Sequence, residues 1–160
     1  MKKILCVLLA IVLLLAGTAC GNESEKEASF PAEATTQALL DSGAYSEQLE
    51  ELDLDIAVMM FWLEGDVSRY AGSKVYYSTG ATAEMAVVIR VADESVVPEV
   101  ESALKAWVEG QIEAERSYRP AEAAKLENAI IESRGSTVVL AVANDETKAI
   151  EAIETVVVEK

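Results

Sequence analysis

The alternation of apolar and polar residues between positions 83 and 118 predicts one strand followed by one long helix. Residues 83–91 are mostly apolar, and alternate positions share one strongly apolar face: Met85, Val87, Ile89 and Val91. Asp93 or Ser95 can then cap a helix, with Pro98 in or just after its first turn. An apolar stripe recurs every three or four residues after that: Val97, Val100, Leu104, Trp107, Val108 and Ile112. This helix, over residues 96–117, is expected to lie across a sheet.

Weaker patterns before the central strand predict two helices and a hairpin. Residues 32–40 favour a helix that ends at Asp41-Ser42-Gly43. Residues 57–63 are apolar almost all round and indicate a short buried helix stopped by Gly65, with a buried strand as the alternative. A turn at residues 78–82 predicts that the strand containing Val75-Tyr76-Tyr77 forms a hairpin with the central strand.

The C-terminal third predicts two helices and two strands. Pro120 breaks the long helix and allows a short helix over residues 121–128 that carries Leu126. Two apolar strands follow, joined at Arg134-Gly135, where glycine can adopt a positive φ. Asn144 or Asp145 then caps a last helix, with one apolar face formed by Ala149, Ile150 and Ile153.

These elements predict an α+β fold. We expect a mostly antiparallel sheet of about four strands, covered on one face by the long central helix and the C-terminal helix. The second face of the sheet is expected to stay partly open, where it could receive a peptide, a glycan or another protein.

The N-terminal residues predict export and a lipid anchor. Two lysines precede an apolar run from Ile4 to Ala16, the pattern of a signal peptide over residues 1–19. Residues 15–21 read Leu-Ala-Gly-Thr-Ala-Cys-Gly and resemble the lipobox of bacterial lipoproteins, which implies that Cys20 is the lipid-attachment site. Ordinary cleavage near Ala19, with Cys20 as an unmodified thiol, is the alternative. Residues 20–30 are polar and predict a disordered tether, and residues 31–160 predict a single domain.

Composition excludes several classes of chemistry. The chain has 13 Lys+Arg and 28 Asp+Glu residues, so its formal net charge of −15 disfavours nucleic-acid binding. It contains no histidine, and its two cysteines, Cys6 and Cys20, both precede the domain. Catalytic triads and histidine or cysteine metal sites are therefore not predicted, and no phosphate-binding or dinucleotide motif indicates a cofactor.

Three groups of residues remain as candidate sites. Glu84 interrupts an apolar strand beside Ser78 and Thr79, although a solvent-facing position on the strand is the favoured interpretation. The methionines and aromatics of residues 59–62 could line a pocket or a partner-binding patch, but core filling is favoured. An acidic cluster could attract calcium but lacks the spacing of a calcium loop, so a solvated face is expected for Glu50, Glu51, Asp53 and Asp55.

Three short motifs resemble a known family. They are residues 82–87 on the strand, Tyr118-Arg119-Pro120 with Leu126 and Asn128 after the long helix, and Gly135 followed by residues 138–142. Over residues 52–153 the chain is similar to a domain of unknown function found in small lipoproteins of Gram-positive bacteria. The resemblance implies an extracytoplasmic lipoprotein and supplies no reaction, ligand or catalytic residue.

The sequence thus predicts a non-enzymatic binding or accessory module, lipid-anchored on the extracytoplasmic face of the cell membrane. Its expected partners are the membrane, through the anchor, and an envelope protein or cell-wall component. The alternatives are a carboxylate-dependent hydrolase acting on cell-envelope material and a structural envelope protein. A concave pocket with two acids of raised pKa would favour the hydrolase, whereas an exposed apolar patch would favour the binding module.

Overall fold

The computed structural model of the protein describes residues 28–80 and 82–156. The predicted signal peptide, Cys20 and most of the predicted tether lie outside these residues. In chain order the helices and strands are α1 (Ala32–Asp41), β1 (Glu50–Glu51), α2 (Leu54–Met60), β2 (Lys74–Tyr77), β3 (Met85–Arg90), α3 (Val97–Glu115), α4 (Pro120–Glu127), β4 (Ile130–Arg134), β5 (Thr137–Val142) and α5 (Glu146–Thr155).

The α+β class and the antiparallel sheet are confirmed. The strand order is β1-β2-β3-β5-β4, and every neighbouring pair is antiparallel. The strand that the sequence did not predict is β1, which has only two residues and no apolar pattern. Gly135 adopts a φ of 49° between β4 and β5, as its position at the predicted turn requires.

The prediction that both helices cover one face of the sheet is wrong. Met85, Val87 and Ile89 of β3 face a core that includes α3, whereas Ala86 and Val88 face a second core that includes α1 and α5. The central strands β3 and β5 are therefore buried on both faces, and exposure among the described strands is confined to the outer strands and the strand ends. The reason is that α1 covers the second face together with the C-terminal helix.

Helix α3 supplies the main stripe of the first core. Val97, Val100, Leu104 and Val108 are buried, and Trp107 packs partly buried against the same core. Its N-terminus follows a short 3-10 turn at Glu94–Val96, in which the Asp93 side chain accepts a hydrogen bond from the backbone N–H of Ser95. The predicted helix is thus confirmed, but Asp93 caps the 3-10 turn, and the N-cap of α3 itself is Val96, which makes no side-chain hydrogen bond.

The second core begins before the predicted domain boundary at residue 31. Phe30 is 1% exposed, and its backbone N–H donates to Oγ1 of Thr137 at 2.9 Å. The backbone N–H of Ser136 donates to Oγ of Ser29, also at 2.9 Å. Ser29 and Phe30, which the sequence assigns to the tether, are therefore held at the end of the sheet where β4 turns into β5.

Among the described residues, no helix combines the length and the hydropathy that crossing a bilayer requires.

Candidate functional site

Glu84 lies directly before β3 and is 1% exposed. The favoured expectation, that its side chain faces solvent, is therefore wrong. Nor do Ser78 and Thr79 hold its carboxylate, although they are its near neighbours in the sequence. The carboxylate instead meets groups from two distant segments, the loop that follows α1 and the helix α4.

Three hydrogen bonds hold the Glu84 carboxylate. Ser46 donates twice, from its backbone N–H to Oε2 at 2.8 Å and from its hydroxyl to Oε1 at 2.6 Å. The ammonium of Lys125 donates to Oε1 at 2.7 Å. A buried carboxylate is costly unless such partners compensate its lost hydration. The network therefore ties the loop after α1, the start of β3 and helix α4 to one another.

Lys125 completes the network through a second acid. Its Nζ lies 3.2 Å from Oε1 of Glu122, whose Oε2 accepts a 2.7 Å hydrogen bond from the backbone N–H of Ala83. Burial alone would lower the pKa of the Lys125 ammonium, but the hydrogen bonds to Glu84 and Glu122 outweigh it, so the pKa is raised. Lys125 is thus held in its charged form.

Two further groups from the loop after α1 border this network. The Tyr45 hydroxyl donates to the backbone carbonyl of Met85 at 3.3 Å, and burial together with the negative charge of Glu84 raises its pKa well above the ordinary value. Glu47 accepts hydrogen bonds from the hydroxyls of Ser78 and Thr82, which lower its pKa. Glu47 therefore links the loop to the turn of the β2–β3 hairpin.

Beside this network lies a pocket of about 140 Å³ with an apolar and a polar part to its lining, which we call its floor and its rim. The Trp107 ring meets Phe61 edge-on, with centroids 5.2 Å apart, which fixes the indole in place. Glu84 contributes to the lining. The apolar lining consists of Met60, Tyr77, Ala83, Met85, Trp107 and Leu126, and the polar lining of Ser78, Thr82, Gln111, Glu115 and Arg119.

The rim carries a bidentate ion pair. Nε of Arg119 donates to Oε2 of Glu115 at 2.5 Å, and Nη2 donates to Oε1. These bonds lower the pKa of Glu115 and keep it ionised. The rim therefore offers fixed charges and hydroxyl groups to a ligand, while the floor offers an aromatic and aliphatic surface.

The remaining candidates divide between core and surface. Phe61 is buried and Met60 packs on the core, as core filling predicts. Met59 and Trp62 are 65% and 72% exposed, so core filling is wrong for these two side chains. All four acids of the predicted solvated cluster, residues 50, 51, 53 and 55, are exposed, and no group of three or more potential ligands suited to a metal ion occurs within the described ranges.

The sequence singled out Glu84 but missed Ser46 and Lys125. The signal for Glu84 was an acid inside an apolar strand, where a buried charge needs a buried partner. Lys125 had only a weak signal, since it directly precedes the buried Leu126 and lies three residues after Glu122. Ser46 had no signal. It binds Glu84 through its backbone N–H as well as its hydroxyl, and a backbone N–H is present at every residue except proline.

Residues 47–143 match a protein family described as Domain of unknown function (DUF4358). The matched part includes β3, α3, α4 and every pocket residue, but not α1 or α5. No curated protein and no solved structure matches the chain.

Proposed function

Because the chain belongs to the DUF4358 family, whose description names no activity, we propose from its site that it is a lipid-anchored, non-enzymatic binding module outside the cell. The observation that carries this proposal is the pocket beside Glu84. Its floor suits the apolar face of a ring or side chain, and its rim suits a polar edge, which is the composition of small-ligand sites.

The acids around the pocket favour binding over hydrolysis. A carboxylate-dependent hydrolase needs a general acid whose pKa is raised toward neutrality. Arg119 lowers the pKa of Glu115, and the hydroxyls of Ser78 and Thr82 lower that of nearby Glu47. Both acids are thus held ionised, which suits recognition of a ligand by charge and hydrogen bonding.

The anchor is proposed from the lipobox-like residues 15–21, with acylation at Cys20, and from the family resemblance to lipoproteins of Gram-positive bacteria. The geometry of the chain is compatible with it. Nine residue steps separate Cys20 from Ser29, which is fixed beside Ser136, so an acyl group at Cys20 would lie within about 30 Å of that end of the sheet.

A tether that ends at Ser29 would join the domain at the end of the sheet opposite the pocket. The register pairs Arg90 with Thr137 at the Ser29 end of the sheet and Met85 with Val142 at the pocket end. These ends are about 17 Å apart at ~3.4 Å per residue.

Binding can be tested through Trp107. The chain has two tryptophans, so Trp62→Phe leaves Trp107 as the single indole, on the floor of the pocket. We expect its fluorescence to change on titration with at least one of three probe sets: N-acetylated amino sugars, muropeptides and tripeptides. Ala83→Leu, which adds volume to the pocket lining, should abolish the change, whereas Ala114→Leu on the exposed side of α3 should not. An unaltered response in Ala83→Leu would refute the pocket as the binding site.

Anchoring is tested separately by fractionating membranes from cells that produce the full chain or its Cys20→Ala variant. We expect the variant to leave the membrane fraction or to accumulate as precursor. Normal membrane retention of Cys20→Ala would refute acylation at this residue and would leave the pocket experiment unaffected.

A further inference from the structure

The end of α2 holds a tryptophan in a backbone conformation that favours glycine. Trp62 has a φ of 52°, and the backbone N–H of Leu63 bonds to the carbonyl of Val58 at 2.9 Å, the pattern of a Schellman cap. A left-handed conformation brings the Cβ of an L-residue too close to the backbone and is therefore unfavourable, and glycine is the usual residue at this position. The backbone conformation at this position therefore does not explain why the residue is a tryptophan.

Packing does not compensate that cost. The Trp62 side chain is 72% exposed, and two more apolar side chains precede it at three-residue spacing, Met59 at 65% and Ile56 at 42% exposed. Ile56 and Met59 lie one turn apart on α2, and Trp62 follows two residues after the end of that helix, so three exposed apolar side chains occur within seven residues. Strain and exposed aromatic surface at one residue point to a role outside the folded domain.

A groove lies between Trp62 and α3. It has a volume of about 310 Å³ and is lined by Trp62 and Glu64 from the segment after α2 and by α3, which contributes Glu99 and the small side chains of Ala103 and Ala106. The small residues let a partner's side chain approach the helix backbone closely. A protruding indole beside a shallow groove is a typical arrangement for a binding hot spot.

The charge around this surface determines which partner fits it. Glu64 and Glu99 line the groove, Asp55 is exposed on α2, and no Lys or Arg is among the groove's lining residues. The nearby Arg69 guanidinium donates to the Glu64 carbonyl at 2.7 Å. Anionic lipid headgroups would be repelled. A second copy of this chain would bring the same acids face to face, which disfavours a symmetric dimer.

We propose that the Trp62 surface, formed by Ile56, Met59, Trp62, Glu64 and Glu99, docks a protein partner that presents an apolar pocket bordered by lysine or arginine. This site is separate from the Glu84 pocket and does not depend on the proposed ligand-binding function. Trp62 inserts into the partner's pocket, and the two glutamates meet its basic border.

The experiment places a photoreactive amino acid at Met59 in the full chain, in the cells that naturally produce it. Mass spectrometry then identifies the crosslinked peptide. We expect an adduct to a protein surface that combines apolar and basic residues, with a yield that falls at least about tenfold in Trp62→Gly and in Glu64→Lys/Glu99→Lys. The same photoreactive residue at the exposed Ala114 is the matched control and should not give this adduct.

Stability of the purified variant separates a docking role from a structural one. Trp62→Gly relieves the left-handed strain, so it should unfold at the same or a higher urea concentration than the unmodified chain. Destabilisation by Trp62→Gly would assign the indole to the fold and overturn the proposal. An adduct to lipid or to a second copy, no adduct specific to residue 59, or a yield unaffected by charge reversal would also overturn it.

Discussion

The ammonium nitrogen of Lys125 lies 2.7 Å from Oε1 of Glu84, and this buried pair joins α4 to the start of β3. The Glu84 side chain is 0% exposed and that of Lys125 is 15% exposed. Their burial differs, and so do their other partners, since Lys125 also has Glu122 whereas Glu84 also has Ser46. The two residues should therefore respond differently to substitution.

Lys125→Met is expected to destabilise the protein by about 3 kcal/mol, because it leaves the Glu84 carboxylate buried without its counter-charge. Glu84→Gln should cost less, about 1–2 kcal/mol, since Lys125 retains Glu122 and some contact with water. Urea unfolding followed by circular dichroism measures both values. The double variant should cost less than the sum of the single ones because the pair acts as a unit.

An exposed ion pair provides the control. Arg116 lies 2.7 Å from Glu113 on α3, and both side chains are more than half exposed. Arg116→Ala should change the free energy of unfolding by no more than about 0.5 kcal/mol. Equal effects of Arg116→Ala and Lys125→Met would contradict the structural importance of the buried pair.

The free energy of unfolding should fall at alkaline pH, because folding raises the pKa of Lys125 and Tyr45, two groups around Glu84. The pKa of Lys125 is raised in the folded state, so its contribution is complete below the ordinary lysine pKa of about 10.4 and is lost as the pH rises through the folded value. Tyr45 acts in the same direction, because its raised pKa makes ionisation easier in the unfolded chain above about pH 10. Thermal melting from pH 8 to 11.5 should show a smaller decline in Lys125→Met/Tyr45→Phe than in the unmodified chain.

The first core could be predicted from sequence because its residues are large and periodic. The stripe from Val97 to Val108 and the alternation of Met85, Val87 and Ile89 each repeat over several turns or strand positions, and both face the same core. The two hairpins were also predictable, since each has a turn residue or polar turn between apolar strands.

The second core could not be predicted in the same way because many of the buried residues on this side of the sheet are small or polar. Thr35 and Thr36 of α1 are at most 2% exposed, yet both hydroxyls bond to backbone carbonyls one turn earlier. Ala86 and Ala141 in the sheet offer little apolar area themselves. In the sequence, a buried threonine whose hydroxyl bonds to its own helix cannot be distinguished from a surface threonine. The sequence therefore did not indicate that α1 covers the second face of the sheet.

The burial of Phe30 in the second core predicts that its substitution strongly lowers the free energy of unfolding. Phe30→Ala removes a ring that is 1% exposed and should cost about 3–5 kcal/mol, the range for a buried phenylalanine. Arg134 stacks over this ring at 4.7 Å from its centroid, so Arg134→Ala should cost only about 0.5–1 kcal/mol. Urea unfolding of chains that begin at residue 21 measures both. A cost below 1 kcal/mol for Phe30→Ala would place residue 30 in the tether after all.

Trp107 links the first core to the pocket, and Trp107→Glu tests both. The indole packs edge-on against Phe61 and shares the pocket floor with Met60, Met85 and Leu126. A carboxylate there would lose the aromatic contact and lie among apolar groups without a partner, so we expect a cost of at least about 3 kcal/mol. Ala114→Glu adds the same charge to an exposed position of the same helix and should change the free energy of unfolding by less than about 0.5 kcal/mol. If both variants melt at the temperature of the unmodified chain, Trp107 does not belong to the core, and its fluorescence could not report on the pocket.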